Sequence, residues 1–144
     1  MSFTYNPAKQ AFGSGALDLQ TADLRVRLVM TDTTADTDSN AATLSAITTL
    51  DTMDGANYAD QGLVGVAFTP DPANNRSELD ADDIVFTNLG PGTRQVAGWI
   101  LYAFGTNDAD SQPIAFYDGG GFPFAATGSD VTLQFDPQGL LQIL

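Results

Sequence analysis

The sequence predicts an all-β fold, an antiparallel β-sandwich or jelly-roll-like domain with one or two short helices, one of them near the N-terminus. Three observations carry that expectation. Of the 18 acidic residues only Glu78 is a glutamate, and aspartate suits turns and caps where glutamate suits helix surfaces. From Asp54-Gly55 onward, short apolar segments alternate with clusters of Gly, Pro, Asn and Asp, the rhythm of strands joined by turns. A chain of 144 residues with 43% hydrophobic and 10% aromatic residues fits a single domain, 1–144, with a sizeable buried core.

Taken in order, the first element is a short helix. Asn6 can cap it, Pro7 suits its first position, Ala8, Ala11 and Phe12 form one apolar face, and Gly13 can stop it. Residues 24–30 alternate, with Leu24, Val26, Leu28 and Met30 on one face and Arg25 and Arg27 outward, a half-buried strand. Residues 31–40 hold only Thr, Asp, Ala, Ser and Asn and read as a loop. Residues 41–50 have room for a turn or two of helix with Leu44 and Ile47 inward, though the threonines there disfavour it.

Strands are then expected at 63–69, 77–79, 84–87, 94–104, 114–118, 131–135 and 140–144. The segment 94–104 carries Trp99, the only tryptophan. Val96, Ile100, Tyr102 and Phe104 fall on one face and Ala97, Trp99 and Leu101 on the other, so this strand should be central and covered on both sides. At the end of the chain, Asp136-Pro137-Gln138-Gly139 has Pro and Gly where a type I turn wants them. The expectation is a hairpin of 131–135 with 140–144, with Leu133, Phe135 and Leu141 in the core.

Charge and composition exclude several classes of function. A formal net charge of −13 keeps such a chain from free nucleic acid and from anionic membranes. There is no cysteine for a disulfide or thiolate site and no histidine to serve as general base or metal ligand. The opening MSFTYNPAKQ lacks the layout of a signal peptide and no run has the length of a membrane span, so a soluble, cytoplasmically made chain is expected.

The remaining motifs are incomplete. Asp36-Thr37-Asp38-Ser39-Asn40 opens like an EF-hand calcium loop, but Ala41 stands where the turn needs Gly and Ile47 where a bidentate Glu belongs. Asp80, Asp82 and Asp83, and again Asp108 and Asp110, lie beside strand ends, where aspartate serves turns. Gly119-Gly120-Gly121 before Phe122-Pro123-Phe124 lacks the helix and lysine of a phosphate-binding loop; it reads as a flexible connection or an exposed aromatic tip. No nucleophile has an activating partner. No catalytic residue, metal ligand or cofactor site is expected, and the chain should not be an enzyme. The candidate interface residues are aromatic: Phe3, Tyr5 and Phe12 on a docking arm formed by residues 1–15, together with Phe122 and Phe124.

With these segments placed, YNPAKQAFGSGALDLQTADLRVRLVM, SELDADDIVFTNL, VAGWILYAFGTNDADSQPIAFYDGG and SDVTLQFDPQGLLQIL resemble, in that order, the small virion structural proteins of tailed bacteriophages. The resemblance spans most of the chain and departs from it in residues 31–54. It implies a part of the virion, made in the host bacterial cytoplasm: a capsid decoration (cement) protein, or else a neck or tail component. Such a protein would associate with copies of itself, as a trimer, and with the major capsid protein or another virion protein. A carbohydrate- or receptor-binding sandwich module is the alternative, since β-sandwiches present aromatic tips to sugars.

Overall fold

A computed structural model describes residues 2–143. Met1 of the expected arm and Leu144 of the expected last strand lie outside the described residues. The chain runs β1 (Phe3–Thr4), α1 (Asn6–Ser14), β2 (Leu24–Met30), a single 3-10 turn (Leu44–Ala46), β3 (Gln61–Gly62), β4 (Ala67–Asp71) and β5 (Arg76–Asp80). It continues through β6 (Ile84–Phe86), β7 (Val96–Ala103), β8 (Gln112–Tyr117), β9 (Val131–Leu133) and β10 (Leu141–Ile143). All strand pairs are antiparallel, in sheets of order β1-β8-β7-β2-β3, β10-β5-β4 and β6-β9. The arrangement is sandwich-like and all-β, with one α-helix near the N-terminus.

β2 spans the residues that its alternation predicts, and β7 lies centrally between β2 and β8. The register sets Leu28 opposite Trp99 and Val26 opposite Leu101 on one face, and Arg27 opposite Ile100 and Arg25 opposite Tyr102 on the other. The first face looks toward the smaller sheets, where Trp99 meets Phe135 at a ring separation of 5.6 Å. α1 packs on β8, and loop 31–54 is tied to the N-terminal segment by Tyr5 Oη donating to Ala35 O (2.8 Å) and to the start of β8 by Leu44 N–H donating to Ser111 O (2.9 Å). Leu28, Ile100, Leu101, Tyr102, Ile114 and Phe116 are buried, and each such side chain contributes about 1.5–3 kcal/mol relative to exposure. Gly98 lets β7 and β8 close at this point, since a Cβ there would sit 2.5 Å from Tyr117 O and 2.8 Å from the Phe116 ring.

Several sequence expectations need correction. The turn at 136–139 forms, with Gly139 N–H donating to Asp136 O at 2.8 Å, yet β9 and β10 do not form a hairpin. β9 pairs with β6 and β10 with β5. The chain from β5 to β6 and the chain from β9 to β10 are two bent arms lying antiparallel along each other. Their registers differ: Ile84 faces Leu133, whereas Leu79 faces Leu141. The 136–139 turn takes up the offset, pinned by Phe135 N–H to Asp83 Oδ1 (2.9 Å) and Leu140 N–H to Leu79 O (2.8 Å). A long-range partner thus displaces the local one, because pairing with β5 and β6 buries Leu133, Phe135 and Leu141.

Of the strand expected at 63–69 only 67–69 form, within β4; residues 63–66 are irregular, with Gly65 at φ +68, and β3 precedes them. The helix begins after Tyr5 and ends at Gly15 in the left-handed region. Asn6 is therefore not its cap; its side chain donates instead to Asn40 Oδ1 (2.8 Å). The helical turns expected at 41–50 reduce to the single 3-10 turn, although Leu44 and Ile47 are buried as read.

The N-terminal segment is built into the body. Phe3 pairs with Phe116 in the main sheet, Tyr5 N–H donates to Ile114 O (2.9 Å), and α1 packs on β8. Strand pairing to β8 and burial of Tyr5 fix residues that were expected to project as an arm.

Candidate binding site

The five aromatic residues singled out from the sequence separate into different environments. Tyr5 is 0% exposed and unavailable to any partner. Phe3 is half-buried in β1, with its ring 5.0 Å from Tyr5 and 6.1 Å from Phe116. Phe12 is half-buried on α1, at the rim of a surface groove. Phe122 and Phe124 form a second pair, with ring centroids 5.5 Å apart.

Local chemistry explains how this pair is presented. β8 ends at Tyr117, and three exposed glycines follow, of which Gly120 and Gly121 have φ values of +59 and +106. Only glycine enters this backbone region without strain, so the segment can reverse sharply. Phe124 then exchanges backbone hydrogen bonds with Val96 (3.0 and 2.8 Å), which anchors the far end of the loop. The two residues are half-buried and border a cavity of about 310 Å³. Leu28, Phe86, Trp99 and Leu133 contribute its apolar lining, and Thr132 and Gln134 its polar side chains.

The support beneath is rigid. Trp99 stacks on Tyr117 at 4.1 Å with an interplanar angle of 18°, and touches Phe135 on the next arm. Tyr117 Oη donates to Leu140 O, and burial pushes its hydroxyl well above the ordinary tyrosine pKa. The column therefore presents apolar surface and a protonated phenol.

The main polar cluster lies elsewhere. Asp60 accepts from Tyr58 Oη (2.7 Å), Tyr102 Oη (2.5 Å) and Arg27 Nε (2.8 Å). Arg27 also holds Asp108 through both terminal nitrogens (2.8 and 3.0 Å), and Tyr58 Oη accepts Leu28 N–H (2.8 Å). Burial, followed by Asp60, pushes both tyrosine pKa values up. Burial opposes the charge on Arg27, but Asp108 and Asp60 outweigh it and raise its pKa. These tyrosines and Arg27 all stay protonated at neutral pH, and none is poised to exchange a proton.

The acidic residues grouped in sequence are dispersed among separate tasks. Asp38 accepts Thr48 N–H and the Thr34 hydroxyl (both 2.7 Å), Asp80 accepts Ala81 N–H, Asp83 holds Phe135, and Asp110 closes its turn on Thr106 and Asn107. Among the described residues no three acidic side chains form a group that could hold a metal ion, and no helix is long and apolar enough to cross a membrane.

Sequence reasoning singled out Phe122 and Phe124 but not the residues that lie beneath them. Trp99 on a strand apolar on both faces was the available signal. Phe86, Leu133, Thr132 and Gln134 carried none, because they join the site only through the β6–β9 pairing. Comparisons with protein-family models, with curated proteins and with solved structures find no match.

Proposed function

We propose that this chain is a non-enzymatic structural component of a tailed-bacteriophage particle, a capsid decoration protein that associates with copies of itself and docks on the shell. One observation carries the reading: Phe122 and Phe124 stand paired and half-buried on a glycine-hinged loop above a stacked aromatic column. Aromatic anchors on a rigid base supply much of the binding energy in protein interfaces, and the loop offers no activated nucleophile or acid–base pair. The sequence resemblance points to the same setting, with a neck or tail position as the alternative place in the particle.

The test is co-sedimentation of the purified chain with empty capsid shells, isolated tails and unrelated particles of equal mass. The reading expects saturable binding to shells that Phe122→Ala with Phe124→Ala weakens by about a hundredfold, the effect of losing two anchor side chains. Binding to tails alone would move the chain to the neck or tail. No binding to either would overturn the proposal.

A second reading, a carbohydrate- or receptor-binding module, is favoured by the cavity itself, whose size and mix of aromatic rim with Thr132 and Gln134 suit a sugar ring. Saturable binding of host surface glycans, lost on Gln134→Ala, would establish it in place of shell docking.

A further inference from the structure

The smaller three-stranded sheet ends on β10 and the main sheet ends on β1. These two edges border a common groove made of three contiguous depressions of about 400, 550 and 500 Å³. Thr4, Leu141 and Gln142 line both the first and the second, and Phe12 and Ile143 line both the second and the third. The groove therefore follows β10 from the 136–139 turn to α1 and beyond.

We propose that this groove accepts an extended segment of a different protein, which adds as a strand along β10 and carries apolar side chains between basic ends. The strand form follows from the edges. β10 bears no proline and no charged residue, and among the described residues no strand pairs with its outer side; backbone groups on such an edge are ready to bond an added strand. The outer edge of β4, by contrast, is blunted by Pro70. The apolar character follows from Phe12 and from Ile143, one of the few large apolar side chains of the fold that is exposed.

The basic ends follow from charge. Asp136 borders the first depression and Asp18 the third, and both are exposed. Lys9, on the wall between them, carries a positive charge and donates to Asn6 Oδ1 at 3.2 Å, so the acidic positions are the two ends of the groove and not its middle. A second copy would bring its own net charge of −13 and meet like charge along this edge, so a basic partner is the complementary one. The inference holds whether or not the particle is a phage capsid.

The experiment titrates the full chain with two synthetic peptides of alternating Val and Thr, one flanked by lysines and one by glutamates. It follows fluorescence anisotropy of the labelled peptide and backbone amide shifts of the protein. The lysine peptide should shift the amides of Thr4, Phe12 and residues 141–143, and bind about tenfold more tightly than the glutamate peptide. Ile143→Lys should weaken it about tenfold by placing a charge on the edge. Asp18→Asn with Asp136→Asn keeps the oxygens that close both turns and should erase the preference for lysine, which provides a reading independent of the edge substitution.

Equal binding of the two peptides, shifts confined to other surfaces, or no binding of either up to about 1 mM would overturn the proposal. So would a dimer, detected by sedimentation, that Ile143→Lys dissolves, since the occupant would then be a second copy.

Discussion

Asp60→Ala tests whether the Asp60 cluster holds the main sheet to the loop before β3. The substitution removes the acceptor for Tyr58, Tyr102 and Arg27 together. Each lost hydrogen bond costs about 1 kcal/mol net, and more where a charged partner is left without solvent. Arg27 and Asp60 expose only 13% and 16% of their side chains, which argues against full replacement by water. Arg27 keeps Asp108, however, so the loss stays below the value for stranding a buried charge. The expected cost is about 3 kcal/mol, a large share of the roughly 5–15 kcal/mol typical of a domain, and a fall in Tm of roughly 10 °C.

Urea denaturation followed by the fluorescence of Trp99, which reports its own stack on Tyr117, measures this directly. Tyr102→Phe alone should cost about 1 kcal/mol and should add little in the Asp60→Ala background, because the acceptor of its hydroxyl is already gone. A loss below about 1 kcal/mol for Asp60→Ala, or additive behaviour with Tyr102→Phe, would refute the account of a shared, solvent-poor network.

Three further outcomes are expected. Removing residues 139–144 strips β5 of one of its two partners and uncovers the core around Leu79, so circular dichroism should show loss of the folded β signal rather than a trimmed domain. Asp51 is held below the usual carboxylate range, first by the Arg94 guanidinium and also by Asp32 N–H at 2.9 Å, while burial pulls the other way. A lowered folded-state pKa stabilises above the unfolded value near 4 and is lost as pH falls through the folded value. Stability should therefore drop in acid below about pH 4, and Asp51→Asn should flatten that drop in urea titrations at pH 2.5–5. Gly98→Ala should cost about 1–3 kcal/mol by thermal unfolding, since its Cβ meets backbone at 2.5 Å.

What could be read from the sequence depended on the reach of each signal. β2 and β7 were legible because seven and eight residues of alternating or continuous apolar character leave one interpretation. β1 spans only Phe3 and Thr4, too short to show a period, so its aromatics read as a free arm. Tyr5 is drawn into the core by Ala35 and Ile114, neither of which is near it in sequence. The partners of β9 and β10 were illegible for the same reason: the 136–139 turn is real, and a genuine turn between two apolar strands looks like a hairpin wherever those strands end up. At the candidate site the glycine run flagged Phe122 and Phe124, while the lining beneath them depended on pairings no local pattern encodes.

The bent ribbon of β5–β6 against β9–β10 has a consequence for how the protein is made. Leu79 must wait for Leu141, Ile84 for Leu133, and Phe3 for Phe116, so several strands have no partner until residues 116–143 have been made. Such topology folds slowly, on the order of milliseconds to seconds, and the nascent chain spends its wait on the ribosome with apolar strands unpaired. The aspartates scattered through its turns then serve a second purpose. Their mutual repulsion, from a net charge of −13, keeps neighbouring nascent chains apart during the interval in which each is most able to aggregate.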